Sequence, residues 1–574
     1  MSSSGGNPPA EARDSGVSPW TAASIFVLSL LYQVPILDRW FNFMDEGHMV
    51  QFAEMAANGH QLYRDVTFYP LPGAFWLLAL VFEVFEPSVI LTRWLVALQF
   101  SGFVTLLYVL LRRIVGWPAA AFGVAGMLLY RIWAFPHWQI YSYSTTCLLL
   151  VVVCLLLLLR FFDTGEVKRL GIAGFVFGLA VLAKQDYSAA FMLAAVPMLF
   201  VWNGTAPPSR RLTTGALLGW FYGPAAVVGA ATGLYFGVQG ILPDLLRFTV
   251  FNHFTGMSTY EYTAFPAFFP LVHDVVDADP DAWLTWLQDP RLRTRVAIAD
   301  YMPGIVFTTD WGEIRSHPLF LHTPIYDLFI KLFYYVPPVA ILAAMVSLWR
   351  RRSALRAPLG DAGRRAFLAE CGIAGVGAGL LLLVWSNKPQ DYLHLAVLYW
   401  PLILLAVAHF ARLARDRRAV AVVLGLVLIV PAFVGVAYSV RLVDQLRKTH
   451  DTWVEVERAG YYVQPYEAVM LEGLVAYVEE RTEPGDRVAA VPYFPILNFL
   501  TERLGPHRSA YILWPFPEIE DRDRKVIEAM EATQTDVVIW HFTQFDSFPY
   551  VWEYAPEFFD YLVDHFVIDH VFSY

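Results

Sequence analysis

The chain has 574 residues, of which 57% are hydrophobic and only 16% charged, with a net charge of −10 and a mean hydropathy of +0.46. Soluble domains carry about a quarter charged residues, so a soluble globular class is excluded. Several apolar runs reach the roughly 20 residues that cross a bilayer as helix, and the chain reads as a polytopic α-helical membrane protein. The acidic balance leaves no basic footprint for nucleic acid. The cysteines Cys147, Cys154 and Cys371 all sit in apolar runs, so neither a disulfide framework nor a cysteine metal cluster is expected.

Residues 1–19 are rich in Ser, Gly and Pro and read as a disordered tail. The first apolar run lacks a basic leader and a small-residue cleavage site, and is read as a retained anchor. Eleven spans follow: Trp20–Leu37, Ser88–Leu111, Pro118–Trp133, Thr145–Phe162, Leu170–Ala183, Ser188–Val201, Leu212–Val238, Phe329–Trp349, Phe367–Trp385, Leu393–Ala411 and Val420–Val440. Basic residues fall in alternate loops, at Arg112-Arg113, Lys168-Arg169, Arg210-Arg211, Arg350–Arg365 and Arg415–Arg418. The excess of Lys and Arg in cytoplasmic loops places these inside, the N-terminus with them. The loops holding Asp45, His137, Asp186, residues 240–325 and Lys388 then lie outside, as does the chain after Arg441. Leu170–Ala183 and Ser188–Val201 are short for crossings, at about fourteen residues each. They are expected either to stop below the outer surface or to form a re-entrant hairpin, and both put Lys184 at membrane depth.

The transmembrane domain thus covers residues 20–441, with a first outer loop at 41–87 and a long one at 240–325. In the first loop, Met49, Phe52, Ala53, Ala56 and Ala57 recur at helical spacing, which predicts an amphipathic interfacial helix over Gly47–Asn58. Pro72–Phe85 is a second apolar but short segment, interrupted by Glu83, and is expected to lie along the interface. Residues 442–574 change character, with 24 Asp/Glu against 10 Lys/Arg, a balance of −14. Helices at Pro465–Arg481, Pro495–Arg503, Asp523–Ala532 and Glu557–Phe566 alternate with strands at Arg487–Pro492, Ser509–Leu513, Asp536–Trp540 and Val567–Phe572. That order predicts a small exterior α/β domain with a mainly parallel sheet. It has no Gly-rich phosphate loop.

Charge in or near a membrane is costly and marks function. Asp45 and Glu46 sit where the first span leaves the membrane. A single placed carboxylate can take a proton from an acceptor hydroxyl; the alternative is that Asp45 caps the following helix. His48 could share a metal with Asp45, but two ligands are not a site. Asp65 could orient substrate or close a turn with Arg64. Arg93, Lys184, Lys388 and His394 suit an anionic lipid headgroup, or snorkel to the interface. His137 and the tyrosines Tyr141 and Tyr143 can stack on sugar rings, or form an aromatic belt.

Asp45-Glu46-Gly47, Ala53, Gly59, Tyr63-Arg64-Asp65, Pro70-Leu71-Pro72, Arg93, Lys184 and Pro484-Gly485-Asp486 occur in an order that resembles the GT-C superfamily of integral-membrane glycosyltransferases. The resemblance is to the branch of protein O-mannosyltransferases and the lipid A aminoarabinose transferase. It implies transfer of a sugar from a polyprenyl-phosphate donor to a lipid, glycan or protein acceptor hydroxyl on the outer face, with inversion. Asp45 would be the base, Glu46 the second member of the acidic pair, and Arg93 and Lys184 basic positions near the lipid phosphate. The aminoarabinose branch carries a Lys before a Pro-Pro pair; here Tyr69 precedes Pro70, leaving Arg64 or Lys184 for that role. The first outer loop lacks an Asp-x-Asp, which weighs against a metal-dependent branch, and no cofactor is called for. The expected setting is the plasma (inner) membrane. The alternatives are a transporter or lipid flippase, in which the same charges line a pathway, and a non-catalytic scaffold presenting the exterior domain.

Overall fold

A computed structural model describes residues 17–42, 45–251, 324–386, 395–508, 522–541 and 551–572. Lys388, His394, most of the long loop, the N-terminal tail to residue 16 and the expected strand Ser509–Leu513 lie outside the described residues. Among the described residues every expected span holds a helix: α1 (Pro19–Leu37), α4 (Val89–Arg112), α5 (Trp117–Trp133), α6 (Tyr143–Thr164), α7 (Val167–Ala183), α8 (Gln185–Thr205), α9 (Thr214–Val238), α11 (Pro324–Arg350), α12 (Ala362–Ser386), α13 (Tyr399–Asp416) and α14 (Arg418–Thr449). The short helices α2 (Asp45–Ala57), α3 (Gly73–Phe82) and α10 (Leu242–Leu246) lie between them. Seven of the described helices are long and apolar enough to cross a membrane unaided. Leu, Val and Trp side chains stand exposed along α1, α9, α11 and α14. In an integral membrane protein that surface faces lipid.

The helices pack closely where small residues allow it. Gly174 lies on the Phe221 carbonyl and Gly379 on the Ala190 carbonyl, where a Cβ would clash, the contact by which membrane helices gain dispersion energy. Ion pairs gather the helix ends. Asp163 accepts from Arg113 at 2.6 Å and lies 3.8 Å from Arg365. Glu370 takes Arg351 at 2.7 Å and also Arg412, and Arg364 donates to Thr205 Oγ1 at 2.9 Å. These contacts tie the ends of α4, α6, α8, α11, α12 and α13 into one basic rim. Lys184 precedes α8 at the end opposite Thr205.

The short pair differs from expectation. α7 and α8 have 17 and 21 residues, about 26 and 32 Å long, and Lys184 alone interrupts them, in extended conformation at φ −158° and ψ 114°. Lys184 Nζ meets Ser144 at the start of α6 and Trp202 Nε1 donates to the Phe162 carbonyl near its end at 2.9 Å, so α8 runs alongside nearly the full length of α6. Polar residues at the ends, which a hydropathy count discards, supply the missing turns.

The C-terminal domain comprises the antiparallel pair β1 (Thr452–Trp453) and β2 (Tyr462–Val463), then α15 (Pro465–Arg481), β3 (Val488–Val491), α16 (Pro495–Thr501), α17 (Arg522–Ala532), β4 (Val537–Trp540), α18 (Val551–Tyr554) and α19 (Pro556–His565). β3 and β4 are parallel, in register from Val488↔Val537 to Val491↔Trp540. α15 starts behind a Gln464/Glu467 capping box, which holds its first turn. The expected strand Val567–Phe572 does not form. Asp569 instead bonds Tyr477 at 2.9 Å and Arg481 at 2.8 Å, and Phe572 packs over Tyr477, which draws the segment onto α15 and away from the sheet.

α2 is the third correction. The sequence predicts one apolar face, yet Glu46, His48, Val50, Gln51 and Phe52 are all buried. α16 covers the face left to water, His48 Nδ1 meets Tyr493 Oη at 2.8 Å, and Glu54 pairs with Arg458. Burial raises the Glu54 carboxyl above its usual range, and Arg458 opposes the shift.

Candidate active site

The site is built where α2 begins. Asn42 Oδ1 accepts from the Asp45 N–H at 2.7 Å, and the Asn42 N–H donates to Glu46 Oε2 at 3.4 Å. Asn42 thus holds the first turn of α2 from both its side chain and its backbone, and Asp45 is half-buried there. Gly47 is required by close approach: a Cβ there would strike the Ile496 backbone, whose Cα would lie 2.9 Å away. The three letters Asp45-Glu46-Gly47 thus do three jobs.

Glu46 faces Arg93, with Nε to Oε1 and Nη2 to Oε2 both at 2.8 Å. Arg93 Nη2 also donates to the Trp40 carbonyl at 2.6 Å, and Nη1 to the Leu37 and Arg39 carbonyls at 3.4 Å. The Tyr461 ring lies 5.1 Å from its guanidinium carbon. Arg93 and Glu46 are 0% and 1% exposed, so this pair holds α4 to the α1–α2 junction and offers nothing to a ligand. Arg93, expected near the lipid phosphate, and Glu46, expected as the second member of the acidic pair, are thus placed against each other. A carboxylate 47 residues away in the chain consumes the cation.

Lys184 is placed differently. Its Nζ donates to Ser144 Oγ at 2.9 Å, lies 3.7 Å from Asp186 Oδ2, and sits over the Tyr187 and Tyr143 rings at 3.8 and 5.0 Å. Tyr143 and Tyr69 share a hydroxyl hydrogen bond of 2.7 Å. Burial pushes the Tyr69 phenol up to about 12; Lys184 and the Tyr143 bond pull it down, while Asp45 and Asp186 push it further up. The charges of Asp45, Lys184 and Asp186 therefore converge on one tyrosine pair. Gln185 fixes the segment carrying Tyr69, taking the Leu71 N–H at 3.3 Å and donating to the Tyr69 carbonyl at 3.0 Å. A cation, two carboxylates and two phenols at the mouth of a helix bundle can hold an anionic leaving group and accept a proton beside it.

The remaining candidates separate. Asp65 accepts from the Gln61 N–H at 2.6 Å and lies 3.9 Å from His60, in the turn that follows α2. Arg64 donates to the Gln239 carbonyl at the end of α9. Tyr141 is 1% exposed and donates to the Ala74 carbonyl at 2.8 Å, and His137 is buried against Trp138; both pack the core. Tyr143, expected to stack on a sugar ring, joins the cluster through Tyr69, while Tyr69, Ser144 and Asp186 belong to it and were absent from the expected set. Their only signals were position, next to Pro70, in the aromatic run after His137, and beside Lys184. Among the described residues no three His, Cys, Asp or Glu side chains lie close enough to hold a metal.

Residues 69–235 match the family model described as dolichyl-phosphate-mannose-protein mannosyltransferase; Tyr69, Tyr143 and Lys184 lie within that span and Asp45 before it. The fold is similar to that of the oligosaccharyltransferase of Archaeoglobus fulgidus solved with Zn and sulfate, at 12% identity, 90% coverage of this chain and 67% of that one, and a TM-score of 0.50. The ArnT structure from Cupriavidus metallidurans bound to undecaprenyl phosphate aligns at 16% identity over 96% of both chains, with a TM-score of 0.42. No curated protein matches the sequence.

Proposed function

We propose that the chain is an integral-membrane glycosyltransferase of the GT-C type, which moves a sugar from a polyprenyl-phosphate donor to an acceptor hydroxyl, inverting the anomeric carbon, with Asp45 as base; the family match and the fold likeness support this. The observation that carries this reading is the convergence of Asp45, Lys184 and Asp186 on the Tyr69–Tyr143 pair. The matched family is described by a dolichyl-phosphate sugar, which supports a lipid-phosphate donor of that chemistry.

In this mechanism the acceptor oxygen forms a bond to the anomeric carbon as the bond from that carbon to the phosphate oxygen breaks. The acceptor proton passes to the Asp45 carboxylate, and the lipid phosphate departs with the electron pair. Charge developing on the phosphate needs a fixed cation, and a preorganised one in a water-poor site is worth far more than in solution. Lys184 supplies it beside Tyr69, the residue that stands where a lysine before the prolines would be. The reaction needs no metal in this scheme. Alternate basic loops support an outer-face setting for the first loop, the Lys184 junction and the C-terminal domain; the proposed setting is the plasma membrane and the proposed sugar a hexose or pentose.

The test is Asp45→Asn, assayed with polyprenyl-phosphate sugars in membranes. Loss of one placed base removes about 10²- to 10⁴-fold of the rate while expression and thermal stability hold. Full activity in that variant removes Asp45 from the mechanism.

A further inference from the structure

Beyond the site at the start of α2, its other end opens into a second cavity of about 450 Å³, between the loop after α2 and the C-terminal domain. Gln51 and Phe52 form its floor, and Arg64, Arg487 and Arg508 stand on its walls. His60 and His507 add imidazoles, and among the described residues Asp65 is the one carboxylate lining it. That carboxylate is already engaged by the Gln61 N–H at 2.6 Å and faces His60 at 3.9 Å.

The charge here runs against its surroundings. The C-terminal segment has 24 acidic and 10 basic residues from 442 onward, yet two of those ten point into one cavity. In that domain Arg503 is taken up by Thr482 and the Thr501 carbonyl, and three arginines find carboxylates, Arg458 with Glu54, Arg481 with Asp569 and Arg524 with Glu528. Among the described residues neither Arg487 nor Arg508 does. Arg487 reaches only the Gly505 carbonyl at 3.4 Å, and Arg508 lies 5.9 Å from the Phe248 ring. Gln51, 4% exposed, has its Oε1 buried with no hydrogen-bond partner. A buried amide acceptor left open has a cost that a ligand donor would relieve.

Guanidinium groups left without carboxylates recognise planar or tetrahedral oxyanions. An open amide acceptor takes a hydroxyl, and the Phe52, Val66 and Leu504 surfaces suit the apolar face of a sugar ring. We propose that this cavity binds a carbohydrate carrying an oxyanion, a uronate carboxylate or a sugar phosphate, as part of the acceptor. Gln51 lies six residues along α2 from Asp45, about 9 Å, so a saccharide seated there reaches the reaction centre through its neighbouring units. Naming it the acceptor rests on the transferase reading above; recognition of an anionic saccharide does not.

The test uses the full-length protein in detergent and three probes: a uronic-acid trisaccharide, its carboxyl-reduced neutral counterpart, and a hexose 6-phosphate. At least one anionic probe is expected to bind about tenfold or more tighter than the neutral one, weakening with salt. The double variant Arg487→Gln, Arg508→Gln is expected to lose about tenfold in affinity for that probe, the loss of a charge-assisted contact. Whichever anionic probe binds identifies the oxyanion. Equal binding of neutral and anionic probes, no measurable binding of either anionic probe, or unchanged affinity in the double variant overturns the proposal. Anion-selective binding by a protein that transfers no sugar keeps this site and removes the transferase reading. Transfer without anion-selective binding does the reverse.

Discussion

Asp45 and Glu46 are neighbours in sequence and opposites in use. Successive residues on a helix point about 100° apart, so one carboxylate turns into the protein and the other toward the bundle mouth. Glu46 meets Arg93 through two bonds of 2.8 Å with both groups essentially unexposed. Asp45 is half-buried and acts through its field on the Tyr69–Tyr143 pair, where the nearest cation, Lys184, keeps a looser 3.7 Å distance from Asp186. A closed charge pair with every donor satisfied builds structure. A cation held by a serine hydroxyl, two aromatic rings and a carboxylate at 3.7 Å is less tightly neutralised and retains attraction for an incoming anion.

The sharpest way to break this comparison is to neutralise each carboxylate in turn. Removing one partner of a buried ion pair costs about 3–5 kcal/mol, so Glu46→Gln should lower the thermal midpoint strongly and reduce the yield of folded protein. Asp45→Asn should leave the midpoint unchanged and abolish transfer. Replacing both members of the buried pair, Glu46→Leu with Arg93→Met, should recover part of the lost stability, because the uncompensated charge goes with its partner. A Glu46→Gln protein as stable as the parent, by differential scanning fluorimetry, would contradict the structural role. Lys184→Met comes next. Loss of a preorganised charge on a leaving group costs about 10²- to 10³-fold in kcat, with Lys184→Arg restoring part of it. If Lys184→Met changes only stability, the lysine belongs with Arg93.

Much of the architecture was legible because long apolar runs and alternating basic loops are local signals. Helix Pro465–Arg481 matches its expected bounds to the residue, helped by a proline and a capping box at its start. What could not be read were pairings between distant segments. Nothing near Arg93 reveals that Glu46 neutralises it, and nothing near Met49 or Phe52 reveals that α16 covers the polar side of α2. Tyr141 and Tyr143 sit two residues apart in one aromatic run, yet Tyr141 ends on the Ala74 carbonyl and Tyr143 on Tyr69. Composition favoured neither. The segment 567–572 has the alternation of a strand, but strand formation needs a neighbour, and Tyr477 with Arg481 drew it onto a helix.

The smallest expected effect sharpens the same contrast with protons. His450 follows α14 and belongs to the structural side: its carbonyl accepts from Arg39 Nη1 at 2.6 Å, and Arg39 in turn offers its carbonyl to Arg93. Burial, with Arg39 adding to it, lowers the His450 imidazole from 6.5 to about 4. Between those two values the unfolded chain binds a proton that the folded chain refuses, so stability rises with pH. The contribution is complete above pH 6.5 and is lost as pH falls toward 4, at up to about 1.4 kcal/mol per pH unit. Thermal midpoints measured from pH 7 to pH 4 should therefore fall, and His450→Gln should flatten that slope by one proton. An unchanged slope in the variant would mean that the acid response arises elsewhere, with the Arg39–Arg93 junction indifferent to a further positive charge.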